Sequence, residues 1–330
     1  MTRRALFTGG LALAALAGCR IEGEDPLASF GGGFDPLRHD AGTLAPAHLD
    51  GPLRMAVPPY YAEELAAGSA QALERYLEVA CGFEVTLSAS AAYDQGVVRQ
   101  LAAGELDVAE LSPYQYADAV RMRAPLVPLA ATVTNGSSSY GSYLVVRAGS
   151  PLRTIDDLRG GKRVRVALVA PLSTSGYALP LAFLIDHGIR LGTDVELIVS
   201  GGHSASVTAL LDGRVDVAAV SSDLLIGSVG LAGPLTVLAK VGRLPNDVVV
   251  ARADLDPAAL SLVQHALLRL SIHDAAARSA LRAFTPVDGF VPVPQGYYDG
   301  VLALAERAAR LPPPPVRALE PAPLEGGGAK

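Results

Sequence analysis

Between residues 52 and 311, short apolar runs alternate with stretches whose apolar positions recur at helical spacing. Leu53 to Val57 reads as a strand. Ser69 to Ala80 reads as a helix with Leu73, Tyr76, Leu77 and Ala80 on one face and Gly82 just past its end. Phe83, Val85 and Leu87 alternate as a strand does, Tyr93 to Ala103 is helical, and Leu106 to Leu111 is a strand. Further along, strands are predicted at Tyr143 to Val146, Val164 to Val169, Val195 to Val199 and Val248 to Val250, with a helix from Tyr177 to His187. Strands this uniformly apolar, each followed by a helix, predict an α/β fold with largely parallel sheets.

An internal repeat divides that fold in two. Residues 100–109, QLAAGELDVA, resemble residues 209–218, ALLDGRVDVA. Each copy is a helix end, a glycine cap and a strand that begins Asp-Val-Ala. The distance between the copies suits two lobes of similar build rather than a solenoid. Ligands of open α/β sheets bind beyond the carboxyl ends of strands, so the cleft between the lobes is the expected site.

Composition removes some functions and the ends suggest a compartment. Net charge is −6 with 27 basic residues in 330, which does not supply the basic face that nucleic acid requires. Arg3 and Arg4, the apolar run Ala5 to Leu16 and the tetrad Leu16-Ala17-Gly18-Cys19 read as an export signal over 1–19. The tetrad resembles the bacterial lipobox, with Cys19 as the lipidated residue. Thr2 to Phe7 also looks like a twin-arginine signal with Leu6 and Phe7 in reversed order, so the export route stays open. The expected location is therefore the cell envelope, lipid-anchored and facing the periplasm or the outer side of the cytoplasmic membrane. With Cys19 so used, Cys81 has no disulfide partner and reads as a buried structural thiol. Residues 20–51 read as a flexible tether, carrying His39 and His48 as weak metal-ligand candidates, and 312–330 as a disordered tail. No cofactor or metal is expected.

Ser173-Thr174-Ser175-Gly176 is the chemically densest stretch. It follows one apolar run and opens a helix, so free N–H groups, hydroxyls and the helix dipole converge where an anion could sit. No Lys or Arg lies in the turn. The plainer alternative is that a serine merely caps the helix. Other polar residues fall at predicted strand–helix corners: Tyr93, Tyr140, His203 after Gly201-Gly202, Asp223 and Asp247. Singly, each also fits an ordinary turn or cap residue.

On these motifs the chain resembles the phosphate, phosphite and phosphonate-binding lipoproteins that feed ABC importers. The resemblance covers roughly residues 52 to 305. It rests on Tyr93 ahead of Gly104 to Ala109, on Ser173 to Pro180, on Gly201-Gly202-His203 followed by Gly213 to Ala218, and on Ile155 to Gly160 with Lys162. It implies a type II periplasmic-binding-protein-like fold, two lobes about a hinge with the ligand cleft between them. The first lobe would be 52–145 plus 250–311 and the second 146–249. It also implies that Ser173, Thr174, Ser175 and His203 hold a phosphorus oxyanion, that Tyr93 and Tyr140 line the cleft, and that Asp223 and Asp247 meet the amine of an aminoalkylphosphonate. The expected partners are that small ligand, a transporter permease and, through Cys19, a membrane; the protein is expected to be a monomer and not an enzyme. Where many members carry an aromatic wall, this chain has Glu110, Leu111 and Ser112. A hydrolase using Ser175, His203 and Asp223 is the alternative, although no Gly-x-Ser-x-Gly elbow is present.

Overall fold

Leu53 to Val57 forms β1 with only Arg54 short of full burial, as expected of a strand covered on both faces. In the computed structural model the described residues are 47, 49–58, 70–89, 95–227, 233–273, 277–284 and 287–320, all within one compact unit spanning 34–330. Cys19, Tyr93, His39 and His48 lie outside the described residues.

The first lobe begins with β1, α1 (Ala70–Cys81), β2 (Val85–Ala89), α2 (Gly96–Ala102), β3 (Val108–Leu111), α3 (Pro113–Arg121) and β4 (Leu126–Thr134). The chain then enters the second lobe as β5 (Ser139–Arg147), β6 (Val164–Leu168), α4 (Leu179–Asp186), β7 (Val195–Val199), α5 (His203–Leu211), β8 (Val217–Ser221), α6 (Ser222–Gly227) and β9 (Leu235–Pro245). It returns through β10 (Val248–Arg252), α7 (Pro257–Arg269), α8 (Arg278–Leu281), β11 (Val287–Val291) and α9 (Asp299–Ala308), and ends in β12 (Val316–Ala318). Each lobe holds, among the described residues, a six-stranded sheet, ordered β11-β4-β10-β3-β1-β2 and β12-β7-β6-β8-β5-β9. Among the described residues no helix is long and apolar enough to cross a membrane.

Three expectations need correction. The sheets are mixed: β2, β1 and β3 run parallel, as do β12, β7, β6 and β8, whereas β10, β4, β11, β5 and β9 pair antiparallel. Four of the antiparallel strands flank the crossings between the lobes: β4 runs into β5 through 135–138, and β9 into β10 through 246–247. The lobe boundary falls at these links rather than at 145/146 and 249/250, since all of β5 belongs to the second sheet. Residues 316–318, expected in a disordered tail, instead pair with the edge of β7, Val316 opposite Leu197.

The repeated sequence corresponds to one repeated structural unit. Gly104 and Gly213 end their helices at φ of 69° and 75°, a conformation that glycine adopts without strain. Asp107 and Asp216 then each accept hydrogen bonds from the backbone and guanidinium of an arginine on the parallel strand paired beside them, Arg54 on β1 and Arg165 on β6. Cys81 is buried in the first core, and burial pushes its thiol up to about 12, so it is an inert packing residue.

One asparagine ties the two links together. The side chain of Asn246 donates to the carbonyls of Thr132, at 3.0 Å, and Ser137, at 2.8 Å. Its own N–H donates to Ser138 O at 2.8 Å, and its carbonyl accepts from the Tyr298 hydroxyl at 2.9 Å.

Candidate functional site

The helix expected over 177–187 begins earlier and in a different form. Thr174 to Ala178 is a π-helical turn, and α4 starts only at Leu179. Ser173 caps the turn: its Oγ accepts from Gly176 N at 3.2 Å, so the plain capping role is real. A Cβ at Gly176 would overlap the Val169 side chain and lie 2.9 Å from Ser173 Oγ, which explains the glycine.

The turn is buried and bonded from both lobes. Ser173, Thr174 and Ser175 are each under 5% exposed. Ser142 Oγ donates to Ser175 O at 2.8 Å. Thr174 Oγ1 accepts from the backbone N–H of Tyr114, in the first turn of α3, at 2.9 Å. Beside it, Ser112 Oγ donates across the lobes to Leu172 O at 2.8 Å. The stretch Glu110 to Ser112 is therefore not a wall of side chains. Glu110 and Leu111 are buried in β3, and Ser112 caps α3 in a capping box with Gln115.

Around the turn stand groups from four other elements. Tyr140, on β5, directs its hydroxyl to Ser175 and Thr174; burial, then the charge of Asp247, pushes the phenol well above its ordinary range. His203 opens α5 after Gly201, which takes φ 89°. Its Nε2 lies 3.4 Å from Ser175 Oγ, while its Nδ1 is buried with no side-chain hydrogen-bond partner. Burial lowers its pKa to about 4, with the Ala219 backbone opposing in part, so the imidazole is neutral at pH 7. Asp223 sits in the first turn of α6; burial raises its carboxyl, and a hydrogen bond from Asn135 in the hinge partly offsets this. Asp247 stands between β9 and β10, its carbonyl accepting from Thr132 N at 2.9 Å.

Tyr140, Ser173, Thr174, Ser175, His203, Asp223 and Asp247 all line a single cavity of about 480 Å3 between the lobes. Ser112 and Ser221, at the strand ends that follow the two repeat copies, line it too; the reading from sequence missed Thr132, Thr134, Ser204 and Asn246, which also do so. No Lys or Arg is among the described residues that do so. The lining combines neutral hydroxyl and N–H donors with two aspartates. It does not offer a catalytic triad, because His203 Nδ1 lacks the carboxylate partner that would orient a base.

Fold and site together place the chain among two-lobed binding proteins. Residues 55–298 match the family described as ABC transporter, phosphonate, periplasmic substrate-binding protein, and the chain belongs to that family. It is 32% identical over 170 residues to the phosphate-import protein PhnD of Mycolicibacterium smegmatis, covering 49% of this chain and 52% of that one. It is 25% identical over 166 residues to the phosphonates-binding periplasmic protein of Escherichia coli, covering 48% and 49%. The chain thus spans about half the length of the curated relatives it matches. Among solved structures, PhnD1 from Prochlorococcus marinus in complex with methylphosphonate superposes with a TM-score of 0.67 at 16% identity, covering 78% of this chain and 98% of that one. A binding protein component of an ABC phosphonate transporter from Pseudomonas aeruginosa gives 0.67 at 19% identity, covering 79% and 88%. At such identities these structures share the fold, the type II two-lobed arrangement.

Proposed function

We propose that this protein is the solute receptor of an ABC importer and takes a phosphorus oxyanion, an aminoalkylphosphonate above all. The oxyanion would sit at the Ser173–Ser175 turn, held by its hydroxyls, Tyr140 and neutral His203. The importer's permease would recognise the closed form.

The observation that carries the choice of ligand is the charge of the cavity: two aspartates and no lysine or arginine among its described lining residues. Two unit charges of like sign about 4 Å apart repel by on the order of 4 kcal/mol at an effective dielectric near 20. A bare dianion is poorly matched to such a site. A zwitterion that places its ammonium near Asp223 and Asp247 turns the repulsion into attraction.

A second reading has its own support. Burial raises Asp223, and a protonated carboxyl could donate to a phosphate or phosphite oxygen. Calorimetry separates the two. The amine reading requires 2-aminoethylphosphonate to bind at least tenfold more tightly than ethylphosphonate, with Asp223→Asn removing most of the difference. Equal binding, or preference for phosphate or phosphite, favours the proton-donor reading.

Lipid anchoring at Cys19 in the cell envelope, facing the periplasm or the outer side of the cytoplasmic membrane, completes the proposal. Cys19→Ser should release into the soluble fraction a protein that otherwise sediments with membranes.

A further inference from the structure

After β11 the chain crosses between the lobes a third time. The arm begins at the hinge, where the hydroxyls of Tyr297 and Tyr298 donate to the carbonyls of Ser138 and Asn246. Helix α9 then packs Val301 and Ala305 against Ala117 of α3 in the first lobe and Leu244 of β9 in the second. Arg307 pairs with Asp186 of α4, also in the second lobe. Pro312 to Pro314 follow, and Pro315 packs close to Gly192. The arm finally adds β12 to the second sheet, where Arg317 Nε meets Glu196 Oε1 at 2.6 Å and Leu319 N donates to Val199 O at 2.8 Å.

The arm covers a second cavity, of about 270 Å3, whose walls come from both lobes. Tyr114 and Leu172 line it. Their backbones make the clasp bonds to Thr174 and Ser112 that close the lobes over the ligand cavity. The arm's cavity and the ligand cavity therefore lie against the same pair of inter-lobe bonds. A run of prolines suits this place, since its fixed φ leaves little chain entropy to lose on docking.

We propose that residues 309–320 are a latch that holds the lobes closed in the absence of ligand. A receptor whose competent form is a fraction f of the total binds with an apparent Kd equal to the intrinsic value divided by f. The latch raises f, and so sets the affinity of the site without touching the ligand.

The test needs no ligand, so its outcome is independent of which oxyanion binds. Amide hydrogen exchange is measured on the full chain and on a chain ending at Leu311. The latch requires the Tyr114 amide to exchange at least tenfold faster in the shortened chain, while the Asp107 amide, bonded to Arg54 O within the first lobe, is unchanged. Unchanged protection at Tyr114 overturns the proposal. Loss of protection at Asp107 as well also overturns it, since the arm would then be part of the global fold. A charge pair gives a milder version. Arg317→Glu should loosen Leu319 and Tyr114 together by about twofold or more, and adding Glu196→Arg should restore both. Faster exchange at Leu319 with Tyr114 unaffected would again count against the latch.

Discussion

Arg165 and Asp216 are joined by three hydrogen bonds, from the arginine N–H and Nε to Oδ2 at 2.9 and 3.0 Å and from Nη2 to Oδ1 at 2.7 Å. Arg54 and Asp107 repeat the arrangement in the other lobe at 2.8, 3.0 and 3.0 Å. In each case the aspartate just before one strand, β3 or β8, fixes the parallel strand beside it, β1 or β6. The Asp-Val-Ala repeat is thus a device of folding, away from the ligand cavity.

Removing one such aspartate should therefore cost stability and leave affinity alone. Hydrogen bonds to charged groups contribute roughly 1.5–3 kcal/mol, and the partial exposure of this pair places Asp216→Asn toward the lower end. The pH dependence has a definite sign. Burial alone would raise the Asp216 carboxyl, but the bonds from Arg165 outweigh it and hold the group below its usual value. Its stabilisation is present above the unfolded pKa of about 4 and is lost as pH falls through the folded value. Thermal midpoints of wild type and variant should converge as pH falls below about 4; a constant gap down to pH 2 would contradict the assignment.

Gly176→Ala should disable the turn without any change in charge. The added methyl collides with Val169, and overpacking of this kind costs about 1–3 kcal/mol. The expected result is a lower melting temperature together with loss of oxyanion binding in the same variant. Intact binding would show that the π-turn tolerates rearrangement.

Thr174 and Ser175 should behave differently from one another. Thr174→Ala leaves the Tyr114 N–H without its acceptor, an omission worth about 1–3 kcal/mol, so both stability and affinity should fall. Ser175→Ala removes a hydroxyl that faces His203 and the cavity, so affinity should fall about tenfold with little change in melting temperature. Calorimetry and thermal unfolding of the two variants read the contrast directly.

His203 should titrate near 4 in the ligand-free protein, with burial as the main cause. An unfolded imidazole titrates near 6.5, so between those values the unfolded chain binds a proton that the folded chain does not. Stability should accordingly decline as pH drops from about 6.5 toward 4, and His203→Asn should remove that part of the slope. Imidazole proton shifts followed by NMR provide the check, and a midpoint near 6.5 would refute the burial.

How far the sequence could be read depended on what kind of signal each element carries. The bounds of β1 and β7 follow from five-residue stretches that are apolar except for Arg54 and Glu196, and they match the structure residue for residue. The corner residues converge because strand ends in α/β lobes point at one cleft. Thr132, Thr134 and Asn246 were invisible because they lie where strands pass between lobes, and apolar alternation says nothing about which sheet a strand end reaches. β12 was hidden for another reason: three residues behind a proline run are too few to show a period. The π-turn left no trace either, since Tyr177 and Leu181 are apolar at a spacing that an α-helix would also use.

Asn246, in one link between the lobes, holds the other through its carboxamide, which donates to Thr132 and Ser137. Two ribbons fastened at one point cannot slide past each other, nor can one twist while the other stays still. Opening should therefore turn both links together, as a swing about this point. The width of the cleft at its rim then measures that swing.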